Sequence, residues 1–154
     1  MRVLDFLHLD GIIPRLRASS KEEVLVELVQ PLFVENPSLD RDCLLKTLLD
    51  RENLGSTGIG GGIAIPHGKI DGLEGLSASF GRSIKGIDFG SMDGKPAHLF
   101  FLLIAPRNSA GDHLKALARV SRLLQDPLFK TTVQQADSQQ EIFSILDEYD
   151  RRLP

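Results

Sequence analysis

The residues best able to do chemistry gather in one stretch, Gly58-Ile59-Gly60-Gly61-Gly62-Ile63-Ala64-Ile65-Pro66-His67-Gly68-Lys69, where a glycine-rich turn runs into a short apolar segment ending on an imidazole. An imidazole titrates near neutrality, so its free ring nitrogen is a nucleophile without an elaborate activating base. Glycine amides, unscreened by a Cβ, can come close to an anion and form a concavity of N–H donors. Together these features point to phosphoryl transfer through a phosphohistidine on His67, a reaction that needs no metal and no other cofactor. Such chemistry requires donors for the phosphoryl oxygens. The amides of Gly60, Gly61 and Gly62 and the hydroxyls of Ser56 and Thr57 are candidates, as is the planar fork of Arg51. His113, at the start of a helix after Gly111-Asp112, is a candidate second imidazole, where a helix N-terminus also favours an anion.

Other chemistries fit the spacing less well. Counted from Gly58, a dinucleotide-binding GxGxxG would need glycine where Ile63 stands. The phosphate loop GxxxxGK[ST] fails as well, because Lys69 is followed by Ile70 and not by a hydroxyl. His67, His98, His113 and Cys43 have no short spacing that would mark a zinc site. Structural readings stay open beside the functional ones. His67 can cap a turn after proline, Arg51 can be a solvated charge at a helix end, His113 can decorate a helix start, and Ser56 and Thr57 can be turn formers. His8 and His98 read as structural, and Cys43, among Leu44, Leu45 and Leu48, as a small core residue.

The elements that must position these residues are readable from periodicity. Ser20-Lys21-Glu22-Glu23 fits a capping box, and Val24, Leu25, Leu28, Val29 and Leu32 then predict an amphipathic helix over 20–35. Asp40 caps a second helix closing near Glu52, before Gly55. Ile63-Ala64-Ile65 suits a buried strand that Pro66 terminates, leaving His67 at a strand end. Three more strands are expected at 76–80, 84–89 and 97–105, with a turn at Met92-Asp93-Gly94-Lys95. The helical period returns from Asp112; Asp126-Pro127 opens another helix, and Ser138-Gln139-Gln140-Glu141 caps a last one. The implied fold class is α/β, a mixed parallel and antiparallel sheet covered by helices.

The 154 residues, 42% of them apolar, are expected to form one domain over 1–154. Eighteen basic against twenty-one acidic residues, with no Lys/Arg cluster, argue against nucleic-acid binding. No apolar run reaches membrane-spanning length and the N-terminus lacks a leader pattern, so no membrane insertion and a cytoplasmic location are expected.

The segment Leu54 to Lys69 resembles the active-site segment of the enzyme IIA domains of the mannitol/fructose class in the bacterial phosphotransferase system, and most closely their stand-alone nitrogen-regulatory branch. The resemblance extends to Arg51-Glu52-Asn53, the Asp88-Phe89 and Asp93-Gly94 turns, the Leu99 to Pro106 strand and His113-Leu114. It implies a single domain of that type, with helices on both sides of the mixed sheet. It further implies that His67 accepts phosphate on Nε2 from an HPr- or NPr-like phosphocarrier protein, with Arg51 and His113 in the pocket. A regulatory role follows, toward partners such as potassium-transport components or sensor kinases. The alternative it leaves is a sugar-specific (fructose/mannitol-class) EIIA passing phosphate to a IIB domain, and a binding module whose histidine is never phosphorylated stands as a third reading.

Overall fold

The computed structural model describes residues 1–154, Ala110 by its backbone alone. Two single 3-10 turns, Val3–Asp5 and Leu9–Gly11, lead into β1 (Ile12–Ile13), followed by α1 (Lys21–Glu35) and α2 (Arg41–Asn53). Three short strands come next, β2 (Gly58–Gly60), β3 (Ile63–Ala64) and β4 (His67–Ile70), and then two long ones, β5 (Ser77–Ile87) and β6 (Ala97–Pro106). The chain closes with α3 (Ala110–Gln125), α4 (Pro127–Gln134) and α5 (Gln139–Arg151). The helix signals in the sequence act as caps: Ser20 accepts from Glu23 N, Asp40 from Cys43 N, Asp126 from Leu128 N and Phe129 N, and Ser138 from Glu141 N.

The sheet runs β1-β5-β6-β3-β2, with β4 also paired to β6. Pairing of β5 with β6 and of β2 with β3 is antiparallel, whereas β1 on β5 and both β3 and β4 on β6 are parallel. Because β6 is buried on both faces, its sequence from Leu99 to Pro106 is a continuous apolar run, and its side chains alternate between two cores. Leu99, Phe101 and Leu103 enter the core closed by α3, α4 and α5. Phe100, Leu102 and Ile104 enter the one closed by α1 and α2. Helices therefore cover both faces, and the fold is the mixed α/β arrangement expected.

Two expectations about strands need correction. The segments at 76–80 and 84–89 form a single strand, β5, with no turn between them. Gly81 is there for clearance: a Cβ would lie 2.8–2.9 Å from side-chain carbons of Leu16 and Leu28. Arg82 beside it is 3% exposed, and its guanidinium holds carbonyl groups of Pro14, Val133 and Ala136 at 2.5–3.0 Å. The second correction concerns Pro66, which interrupts a strand without ending it. The chain resumes pairing along the same edge of β6 at His67, with Pro66 O accepting from Leu103 N at 3.0 Å. Cys43, expected in the core, is exposed, because the buried stripe of α2 runs through Leu44, Leu48 and Glu52 and Cys43 lies one residue off it.

The N-terminus is tied to α5 by a buried pair. Asp150 is fully buried, accepting from Val3 N at 2.9 Å and from Arg119 Nε at 2.7 Å. Removing the carboxylate leaves a largely buried guanidinium and a buried amide without a partner. Asp150→Ala is accordingly expected to lower the unfolding free energy by about 3–5 kcal/mol, read from the urea midpoint; a loss below 1 kcal/mol would show the tie to be dispensable.

Candidate active site

Alternation along the strand decides where His67 points. On the interrupted strand, Ile63 and Ile65 enter the core under α3 while Ala64 and Ile70 enter the one under α1 and α2. His67 and Lys69 share the parity of Ile63 and Ile65, so both face the start of α3. There the imidazole of His67 meets that of His113 edge to face, with ring centroids 5.6 Å apart and planes at 64°.

The tautomer of His67 follows from one bond. Nδ1 lies 2.8 Å from the carbonyl oxygen of Ile65. A carbonyl only accepts, so Nδ1 carries the hydrogen and Nε2 keeps an unprotonated lone pair. Pro66 makes this possible: the chain leaves regular pairing for Ile65-Pro66, which turns the Ile65 carbonyl toward the ring of the residue two positions on.

Both imidazoles are held neutral. Burial lowers the pKa of half-buried His67, and the Arg51 charge lowers it further, against opposing contributions from the Ile65 carbonyl and the Glu52 carboxylate. His113 is pushed down to about 4, by burial first and then by His67 and Lys69. It is 6% exposed, and among the described residues its Nε2 is buried without a hydrogen-bond partner. Such an orphan costs free energy unless something supplies a partner. An oxyanion on His67 would do so.

Arg51 stands in the last turn of α2, His67 is the first residue of β4 and His113 lies in the first turn of α3; the two imidazoles are in contact, and the Arg51 charge is felt at His67. Arg51 donates from Nη1 to Gly55 O at 2.9 Å, which fixes the guanidinium at the helix end while its other donors have no protein partner among the described residues. The remaining candidates are placed differently. Gly61 and Gly62 form a two-residue hairpin turn between β2 and β3, with φ of 66° and 81°, as a type I′ turn requires. Ile63 pairs with Leu99 and His67 with Leu103, a separation of roughly 13 Å along β6, and the glycine turn lies beyond Ile63. Its polar groups are also engaged. Gly61 N donates to Asp93 Oδ2 at 3.0 Å, Gly61 O accepts from Lys130 Nζ at 3.4 Å, and Gly62 O accepts from His98 N and Leu99 N. Gly60, Gly61 and Gly62 thus build a hairpin and are not gathered around His67. Ser56 donates its hydroxyl to Phe89 O at 2.7 Å and accepts from Gly58 N, and buried Thr57 donates its hydroxyl to the Glu52 carboxylate. These two hydroxyls brace the loop and have no hydrogen left for a phosphoryl group.

Sequence reasoning passed over Glu52 and Lys69. Glu52 carried a signal, an acid in the last turn of a helix where the dipole disfavours it. Lys69 carried another, period-two spacing from His67.

The pKa directions give a pH prediction. Between pH 6.5 and about 4 the unfolded chain binds a proton at His113 that the folded chain refuses, so stability falls as pH is lowered through that window. His113→Gln should flatten this dependence in melting curves taken across the window, and NMR titration should place His113 near pH 4. Parallel slopes for the variant and the wild type would contradict it.

Residues 5–149 match the family model described as phosphoenolpyruvate-dependent sugar phosphotransferase system, EIIA 2. A nitrogen regulatory protein of Bradyrhizobium diazoefficiens is 41% identical over 146 residues, covering 95% of each chain. The fructose-specific EIIABC component of Bacillus subtilis is 36% identical across 98% of this chain, which spans 24% of that longer protein. Among solved structures, nitrogen regulatory protein IIA-Ntr from Neisseria meningitidis superposes with a TM-score of 0.86 at 32% identity, over 92% of this chain and 97% of that one.

Proposed function

The chain belongs to the EIIA type 2 family of the phosphoenolpyruvate-dependent sugar phosphotransferase system, and from that premise we propose that His67 is its phosphoryl acceptor. It is a phosphocarrier of the phosphotransferase type with a regulatory role, in keeping with the nitrogen regulatory proteins it matches. We take residues 1–154 as one such unit. The observation that carries the acceptor assignment is the Nδ1–Ile65 hydrogen bond, which presents Nε2 with a free lone pair beside the unpartnered His113.

The donor is an HPr- or NPr-like phosphohistidine protein. The phosphorus–nitrogen bond of the donor breaks as the bond to His67 Nε2 forms, and the donor nitrogen keeps the electron pair. Negative charge on the three equatorial oxygens meets Arg51 from one side and His113 from the other, and the arriving dianion favours a proton on His113. Both sides of the exchange are imidazoles, so the reaction is near thermoneutral and docking sets its specificity. Leu54, 86% exposed at the end of α2, and Leu114, 68% exposed beside His113, supply apolar ground around the site for a partner to cover.

Regulatory output goes to partners such as potassium-transport components or sensor kinases, in a cytoplasmic setting. Among the described residues no helix is long and apolar enough to cross a membrane. The sugar-specific reading, transfer onward to a IIB domain, draws support from the match to the fructose-specific component.

Labelled phosphate passed from phosphoenolpyruvate through enzyme I and an HPr-like carrier should label the wild type and leave His67→Ala unlabelled, with the phosphorus on Nε2 by NMR. An unlabelled wild type would overturn the assignment. Onward transfer to a fructose-class IIB would favour the sugar-specific branch. Arg51→Ala should lower the maximal transfer rate by about 10- to 100-fold, with little change in the carrier concentration needed for half-saturation, because the guanidinium meets charge that grows in the transition state. Equal rates at saturating carrier would remove Arg51 from that role.

A further inference from the structure

We infer that Glu52 is a positioning residue for His67, acting through a chain of hydrogen bonds that begins at its ion pair with Lys21 and ends on the non-reacting nitrogen of the imidazole. The inference rests on the phosphoryl-acceptor reading of His67 and adds to it the device that fixes the acceptor's tautomer and direction.

The chain is continuous. Lys21 Nζ, at the start of α1, lies 3.0 Å from Glu52 Oε1 and 4.6 Å from the centre of the Phe89 ring, so the cation is held from two sides. The Glu52 side chain is 2% exposed. Its Oε1 accepts from Thr57 N at 3.1 Å, and its Oε2 accepts from the Thr57 hydroxyl. Thr57 O accepts from Ile65 N at 3.0 Å. Ile65 O accepts from His67 Nδ1 at 2.8 Å. Each link is a donor meeting an acceptor with little freedom to shift, because Thr57 is buried and Ile65 belongs to the core.

A structural role alone would not call for a charge here. An acid in the last turn of α2 opposes the helix dipole, and a buried carboxylate carries a desolvation penalty that its partners must offset. Fixing a loop could be done with an apolar contact. A carboxylate accepting two hydrogen bonds from one residue sets both the position and the orientation of Thr57, and through it the carbonyl that chooses the His67 tautomer. Glu52 also immediately follows Arg51, so the same helix turn aims the guanidinium from which His67 feels a positive charge. The groups charged or titratable around His67 are then Arg51, Glu52, His113 and Lys69, and Glu52 is the one negative charge among them.

Positioning matters because an ångström of displacement at a nucleophile can lower a rate by about 100-fold. Glu52→Gln keeps the shape, removes the charge and turns one acceptor into a donor that faces Lys21 or Thr57. In phosphotransfer from the HPr-like carrier, the expected result is a maximal rate lowered by at least tenfold with half-saturation by the carrier within about twofold of wild type. Two further readouts separate positioning from bulk stability. Nitrogen-15 NMR should show the wild-type ring as the Nδ1–H tautomer and the variant as a mixture. The His67 titration should move to lower pH in the variant, since a negative charge that favours the imidazolium is gone. Should Glu52→Gln fail to fold, Thr57→Val removes the hydroxyl link alone and is expected to give the same tautomer mixing with a smaller rate loss. A folded variant with an unchanged tautomer and a rate within twofold of wild type would overturn the inference. An unlabelled wild type would instead overturn the acceptor reading on which it rests.

Discussion

The placement of the site depends on the pairing of one interrupted strand with the buried strand β6. Parallel pairing through Ile63 and Ala64, a two-residue departure at Ile65-Pro66, and renewed pairing from His67 keep this strand in register with a central strand whose side chains alternate between two cores. A slip of one residue would turn His67 toward α2, away from His113, and would exchange the two apolar sets. Since β6 is buried along nearly its whole length, such a slip is strongly disfavoured. The orientation of the histidine is thereby enforced by the same burial that holds the sheet together.

On that frame, the electrostatics of the pocket suit the acceptor role proposed for His67. Desolvation keeps both imidazoles neutral, which preserves a lone pair on His67 and leaves the Nε2 of His113 without a partner. Arg51 adds positive charge at the edge of the site while anchoring itself on Gly55 O. These features carry a local cost in the resting protein, and a phosphoryl group would relieve them together. The cost is borne by well-buried surroundings, with Leu99, Phe101 and Leu103 fully buried beneath the site.

The parts of the molecule legible in the sequence were those set by local rules. Each helix start read from a capping residue is a cap in the structure, because the bond from a Ser or Asp side chain to an amide two or three residues on needs nothing from the rest of the chain. β6 was equally plain, since burial on both faces demands an unbroken apolar run. Where local cues and tertiary packing compete, local reading failed. Gly81 lies in the gap between the two strands expected at 76–80 and 84–89, yet it provides clearance for Leu16 and Leu28, and Arg82 beside it holds the carbonyls at the end of α4. Cys43 imitates a core residue and faces solvent.

For the candidate site, the sequence by itself determined the chemistry available: one histidine after a proline in an apolar strand, an arginine ending a helix, a second histidine beginning another, and glycines able to take positive φ. Residue types and spacing left open which of these meet, and the pocket of His67, Arg51 and His113 was expected only through the family resemblance. Hydrogen-bond donors are assigned by three-dimensional competition, and the partners that won are remote in sequence: Asp93 for Gly61, Phe89 for Ser56, and the carbonyl ends of other elements. The glycine turn therefore became a hairpin well away from the imidazole. The family resemblance had implied Arg51 and His113 beside His67; only the tertiary structure decided that the His113 ring meets His67 edge to face, that the Ile65 carbonyl selects its tautomer, and that Glu52 bridges Lys21 and Thr57. The physical reason is that residue type fixes what a group can donate or accept, whereas burial and register decide what it faces.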